Sequence, residues 1–241
     1  MIVSIIQPCF VPWLGYFEQM ALADVFIYLD DVQYTKKDWR NNNQLKSPYG
    51  AKPIHVPVSN ASTGILINEA LISYNEKWEE VILNKLREWY KKAPFFSQVV
   101  ALVESVIHRK YQKLVDLNYG LNAAICQYVE IDTPTLRASD IPKRTVDKNA
   151  RILELCQHCP GIKVLYDGKS AQRFLDVELF KKNGIEVVFQ DYVHVPYRQL
   201  WGDFLPYMSV LDLLMNHGPK SLGMIVNDCS VARLSSALGR R

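Results

Sequence analysis

Apolar and polar positions fall into blocks that read as strand, helix and strand from the first residue. Ile2 to Ile6 is a short β-rich apolar run, Gly15 to Leu22 carries apolar residues at helical spacing, and Asp24 to Leu29 is a second apolar run stopped by Asp30-Asp31. Strand, helix and strand within about 30 residues is the size of a right-handed βαβ unit. Asp30 to Gly50 is then polar and basic and ends in Ser-Pro-Tyr-Gly, a turn signal. Ile54 to Val58 and Ile65 to Ile72 predict strands. Asn75 to Lys91, with Asn75 as cap and Trp78, Ile82, Leu86 and Trp89 on one face, predicts a helix. Phe95 to Val115 and Tyr119 to Val129 predict two more. Alternation then resumes: strands at Thr133 to Ala138, Ile162 to Tyr166 and Ile185 to Phe189, helices at Val146 to Cys159, Val177 to Asn183 (stopped by Gly184) and Ser209 to Asn216. Strands alternating with helices imply an α/β fold with a mainly parallel sheet. The helical stretch over about 75–130 reads as an extra layer, lid or insertion in a single domain spanning 1–241.

Composition narrows the function classes. The chain has 241 residues, 22% of them charged, with a net charge of +3. That balance is ordinary for a globular protein and too mild to argue for nucleic acid. No apolar run approaches the roughly 20 residues that span a bilayer. The start, Met-Ile-Val-Ser, has no basic region or small-residue cleavage site of a signal peptide, so a cytoplasmic location is expected. The five cysteines are scattered, which argues against a disulfide framework. Cys156-Gln-His-Cys159 has no second ligand pair and reads as two small apolar residues at a helix end; nothing requires a metal.

In open α/β sheets ligands bind beyond the carboxyl ends of the strands, so the residues that follow each apolar run are the candidates. They are Gln7-Pro8-Cys9-Phe10 with Pro12-Trp13, Asp30-Asp31-Val32-Gln33-Tyr34, Asp167-Gly168-Lys169-Ser170, and Gln190 to Gln199. Asp167 to Ser170 lacks the upstream glycine of a phosphate loop. Lys36, Lys37, Arg40 and Lys46, interleaved with Tyr34, Trp39 and Tyr49, suit a phosphorylated, base-bearing ligand: cations hold phosphate oxygens and rings stack on a base. The same residues also read as a solvated basic loop. Asp30 and Asp31 are candidate acid/base carboxylates or a strand-end turn, and adjacent strand residues point to opposite faces. His194, ordinarily titrating near 6.5, is a candidate general base. Cys9 reads as a nucleophile at a helix start or as a small buried residue.

The motifs together resemble one family. Gln-Pro-x-Phe-x-Pro-Trp-x-Gly-Tyr-Phe at Gln7 to Phe17, Asp30-Asp31-Val32-Gln33-Tyr34, Lys37-Asp38-Trp39-Arg40-Asn41, Pro196-Tyr197-x-Gln199, and Ser209 to Asn216 with Gly218 are similar to the WbqC-like family over nearly the whole chain. The chain departs from that pattern at Phe10, where the family carries tyrosine, and near Asn42, where it carries an arginine. A role held by that arginine would fall to Arg40 or Lys46.

The resemblance implies bacterial O-antigen (lipopolysaccharide, surface polysaccharide) biosynthesis. The activity it implies is an acyl- or aminoacyltransferase, glycine among the groups transferred. The acceptor would be the amino group of a nucleotide-activated amino sugar, and the donor an acyl-thioester or aminoacyl compound. Under that reading Lys36, Lys37, Arg40 and Lys46 hold phosphates. Trp13, Tyr16 or Trp39 stack on base or sugar, and Asp30, Asp31 or His194 supplies the base. Gln7, Gln33, Asn41, Tyr197 and Gln199 complete the substrate contacts. The expected fold is α/β, a Rossmann-like layered arrangement. Two alternatives remain open: a nucleotidyl-transfer enzyme of Rossmann-like type, whose His-x-Gly-His turn is absent here, and a non-catalytic nucleotide-sugar or carbohydrate binding module.

Overall fold

A computed structural model describes residues 1–61 and 64–239. Five parallel strands form the central sheet in the order β5-β2-β1-β6-β7. They are β1 (Ile2–Ile6), β2 (Val25–Tyr28), β5 (Thr135–Arg137), β6 (Val164–Asp167) and β7 (Glu186–Phe189). β1 is central, and the chain builds outward to β2 and β5 before crossing back to β6 and β7. This is a Rossmann-like α/β fold.

Strand periodicity divides the core. Val3 and Ile5 of β1, Ile27 and Leu165 face α5 (Lys148–Gln157) and α6 (Val177–Lys182), packing on Ile152, Leu155 and Phe180. Ile2, Val164 and Tyr166 face the other way, onto Leu234 of α9 (Asp228–Ala237). The largest cluster joins α1 (Leu14–Leu22) to α2 (Trp78–Tyr90), α3 (Phe96–Ile107), α4 (Leu114–Tyr128) and α7 (Val210–His217). The helices of the middle third are thus a packed layer. A short α8 (Leu222–Ile225) leads into α9.

Local expectations differ from the structure in instructive places. The basic loop contains a strand, β3 (Asn42–Ser47), paired antiparallel with β4 (Gly50–His55) across the predicted turn. Its polar sequence conceals it, because Asn43, Lys46 and Ser47 are buried against partners rather than solvated. Ile65 to Ile72 makes isolated bridges around a 3-10 turn (Ile67–Glu69) instead of a strand. The helix expected from Phe95 to Val115 stops at Ile107, and Lys110 has φ +55° before α4 starts. Asn75 does not cap α2; Lys77 occupies that position without a side-chain bond.

Candidate functional site

Strand order reverses between β1 and β6, the topological switch point where open α/β sheets leave a crevice. A cavity of about 480 Å³ lies there, within the roughly 300–1,000 Å³ range of small-molecule sites. Its walls come from the turn after β1 (Cys9, Pro12, Trp13), from α1 (Tyr16, Gln19), from the segment entering β3 (Trp39, Arg40, Asn43), and from Gly168 to Ser170 after β6. Gln190 to Tyr192 after β7 and Tyr207 close it.

The β1–α1 turn is clamped from outside. Phe10 N donates to Trp39 O at 2.9 Å, and Val210 N donates to Pro12 O at 2.9 Å. Asn43 Nδ2 donates to Phe10 O and Val11 O at 3.0 and 2.8 Å, and Ser209 Oγ donates to Val11 O at 2.7 Å. These bonds hold Val11 at φ +35°, a conformation a β-branched residue rarely adopts. The turn delivers Trp13 to the start of α1, where its ring lies over Gly15; a Cβ there would sit 2.3 Å from the indole. The indole packs on Tyr192, His194 and Tyr207 at centroid distances of 5.1, 5.4 and 5.7 Å.

Tyr192, His194 and Tyr207 belong to a long strap without regular structure, Gln190 to Met208. A buried polar network fastens it. Asp212 on α7 accepts from Tyr90 Oη, Tyr197 Oη and Gln199 Nε2, each at 2.8 Å. Burial pushes the Asp212 carboxyl up, opposed by those donors and Lys46. Lys46, 1% exposed, donates to Gln199 Oε1 at 3.0 Å and to the carbonyls of Gly202 and Asp203. Burial pulls the Lys46 ammonium down, against the pull of Asp212 and Asp203.

Inside the crevice the charge is uneven. Arg40 donates to Asp38 at 2.8 Å and to Cys9 Sγ at 3.3 Å, while its Nε has no partner. Burial pushes the Cys9 thiol up, with Arg40 opposing. Lys169 pairs with Asp191 at 2.8 Å. Tyr16 Oη is buried without a partner, and burial keeps it protonated far above its usual range. His194 Nε2 is also unpartnered, and burial lowers the imidazole so that it is neutral at pH 7.

Of the residues singled out from sequence, Trp13, Tyr16, Trp39 and Arg40 meet in the crevice, with His194 packed behind Trp13. Asp30 and Asp31 do not join them. Asp30 accepts from Ser139 N and Oγ at 2.8 and 2.6 Å and from Tyr119 Oη at 2.9 Å, tying β2 to α4 and the end of β5. Asp31 is buried against Arg151 of α5 at 2.9 Å. Lys46, Tyr197 and Gln199 anchor the strap. Asn41 donates to Val56 O at 2.8 Å, Lys36 and Lys37 are exposed, and Gln7 and Gln33 line a separate cavity of about 350 Å³ beside α5. Gln19 and Tyr207 escaped the sequence reading. Glu18-Gln19 was the available signal for the first: two polar residues inside an apolar helix. Nothing local marks Tyr207.

The profile of the WbqC-like protein family matches residues 7–224. The chain belongs to the WbqC-like family. It is also 35% identical over 222 residues to the uncharacterized protein Rv1507c of Mycobacterium tuberculosis, covering 91% of this chain and 95% of that protein. No solved structure matches the chain. The WbqC-like segment contains every crevice residue named above. It also holds both halves of the strap network, so its opening and closing motifs meet where Ser209 and Asn43 grip the β1–α1 turn. No helix among the described residues is long and apolar enough to cross a membrane.

Proposed function

We propose that this WbqC-like chain is an acyl- or aminoacyltransferase acting on the amino group of a nucleotide-linked amino sugar in surface-polysaccharide biosynthesis. The observation that carries the reading is the switch-point crevice, where Trp13, Trp39, Tyr192 and Tyr207 line the same cavity as Arg40. Rings offer stacking faces to a base or sugar, and a guanidinium with an unpartnered N–H offers a phosphate contact. The sugar amine attacks the donor's carbonyl carbon; the new C–N bond forms as the bond to the leaving group breaks. The amine's proton passes to solvent and the leaving group takes one from it, while His194, packed on Trp13, Tyr192 and Tyr207, supports the rings of the crevice. The Tyr16 hydroxyl donates to the developing oxyanion. Asp30 and Asp31, held by Tyr119, Ser139 and Arg151, take no part.

Calorimetry with nucleotide-linked amino sugars tests this. Arg40→Ala is expected to weaken binding at least tenfold, the loss of about 1.4 kcal/mol that one charge-assisted hydrogen bond supplies. Unchanged affinity would remove Arg40 from the site. Turnover of an acyl-thioester with such a sugar separates the enzyme from a binding module. Pyrophosphate release from ATP would favour the nucleotidyl-transfer alternative.

A further inference from the structure

The side-chain amides along one wall of the crevice form a chain with a single allowed direction. Glu18 on α1 is wholly buried. Its carboxylate accepts from Asn227 N at 2.9 Å, Tyr166 Oη at 3.1 Å and Gln190 Nε2 at 2.6 Å. Gln190 Nε2 also donates to Gly15 O at 2.7 Å. With two acceptors facing it, that end of the Gln190 amide must be nitrogen. Its oxygen therefore turns to Gln19, which donates through Nε2 at 2.8 Å. What remains is Gln19 Oε1, an acceptor without a partner on a side chain 3% exposed that lines the crevice. A buried acceptor left unpaired is unfavourable, and such groups mark places where a partner arrives.

We infer that Gln19 Oε1 accepts an N–H from the bound ligand, its orientation fixed by Glu18 through Gln190, so that the crevice selects ligands presenting a donor at this point. The inference rests on the nucleotide-linked amino sugar reading and says which of its groups is read. Two groups of such a ligand offer an N–H: the ring imide of uracil or thymine, and the sugar's amine. Cytosine presents a bare ring nitrogen, an acceptor, where uracil presents the imide. Glu18 lies outside the crevice lining and is a positioning residue; Gln190 lines the crevice, but its amide is engaged by Gly15, Glu18 and Gln19, so it too acts on Gln19 by positioning. A carboxylate at position 18 accepts and, with the Gly15 carbonyl, gives the chain its direction; an amide there could donate, which leaves Gly15 O alone to hold Gln190 and so loosens the orientation of Gln190 and Gln19.

The test is calorimetric titration of the wild type, Gln19→Leu and Glu18→Gln with four probes. These are UDP, CDP, a UDP-linked amino sugar and its counterpart with hydrogen in place of the amine. The wild type is expected to prefer UDP over CDP if the base is read, or the amino sugar over its counterpart if the amine is read, by tenfold or more. Gln19→Leu should erase whichever preference appears. Glu18→Gln should shrink it severalfold while the melting temperature shows the protein still folded, a change in selectivity that a merely structural role would not produce. If Glu18→Gln does not fold, Gln19→Leu alone decides. A preference that survives Gln19→Leu, or a wild type indifferent within both pairs, overturns the inference and leaves the sugar-nucleotide reading standing. Failure of the wild type to bind any probe overturns both.

Discussion

Replacing Gly15 by alanine should destabilise the protein, although glycine is a poor helix residue. In an open helix the change stabilises by up to about 1 kcal/mol. Here the new Cβ would lie 2.3–2.7 Å from three atoms of the Trp13 ring, so the indole must leave. It would lose its packing on Tyr192 and Tyr207, aromatic pairs worth about 0.5–1.5 kcal/mol each beyond their area. A loss of about 1–3 kcal/mol against a gain below 1 kcal/mol leaves a net cost between about 0 and 3 kcal/mol, centred on about 1–2 kcal/mol. For a chain of this size that is a fall of about 2–8 °C in Tm. Gly223 supplies the control: it is exposed in α8, and a Cβ added there would meet no atom within 4 Å. Gly223→Ala should leave Tm unchanged or raise it. Thermal unfolding by circular dichroism, with tryptophan emission reporting exposure of the indole, measures both variants. If Gly15→Ala melts at or above the wild type with unshifted emission, the account of Trp13 as a ring held over a bare backbone is wrong.

Further outcomes follow from the buried charges. Burial pushes the Asp167 carboxyl at the end of β6 up to about 7, opposed by the Gly168 N–H. A raised folded pKa means that its contribution is whole below the unfolded value of 3.8 and is lost as pH rises toward 7. Asp167→Asn should therefore melt progressively higher than the wild type between pH 4.5 and 8. At about 1.4 kcal/mol per pH unit the upper bound is about 4 kcal/mol, and partial solvent access reduces the expectation to about 2 kcal/mol; parallel profiles would refute it. Lys46→Met should leave the carbonyls of Gly202 and Asp203 short of a donor, cost about 2–4 kcal/mol in urea unfolding, and speed proteolysis within the strap. Equal stability and equal cleavage would show that Lys46 does not fasten it.

The parallel sheet was legible because each core strand is a short apolar run between turn signals, and such runs have few other readings. The crevice was half legible. Trp13, Tyr16, Trp39 and Arg40 stand beside the ends of elements that the pattern could place. Asp30 and Lys46 lie outside the crevice for a reason sequence does not display: it shows a charge but not its company. Asp30 meets Tyr119 and Ser139, and Lys46 meets Gln199, across separations of 89, 109 and 153 residues. Both charges are buried and satisfied by these partners, which only the fold reveals. β3 was hidden likewise, because its polar side chains find their partners in the β1–α1 turn and the strap.

These long-range bonds explain why motifs so far apart in the chain belong to one pattern. The crevice needs Tyr192 and Tyr207 over Trp13, yet both sit on a segment with no regular hydrogen bonding of its own. A strap of that kind holds its shape only if its polar groups are satisfied elsewhere. Tyr197 and Gln199 reach Asp212, Gln44 Nε2 reaches Tyr207 O, and Ser209 N reaches Gln44 O. Ser209 in turn grips Val11 in the turn that carries Trp13. One hydroxyl thus ties the floor of the crevice to the end of the element that covers it. Loosening the Asp212 network should consequently disturb ligand binding at residues it never touches, through the geometry of the rings rather than through any contact with the ligand.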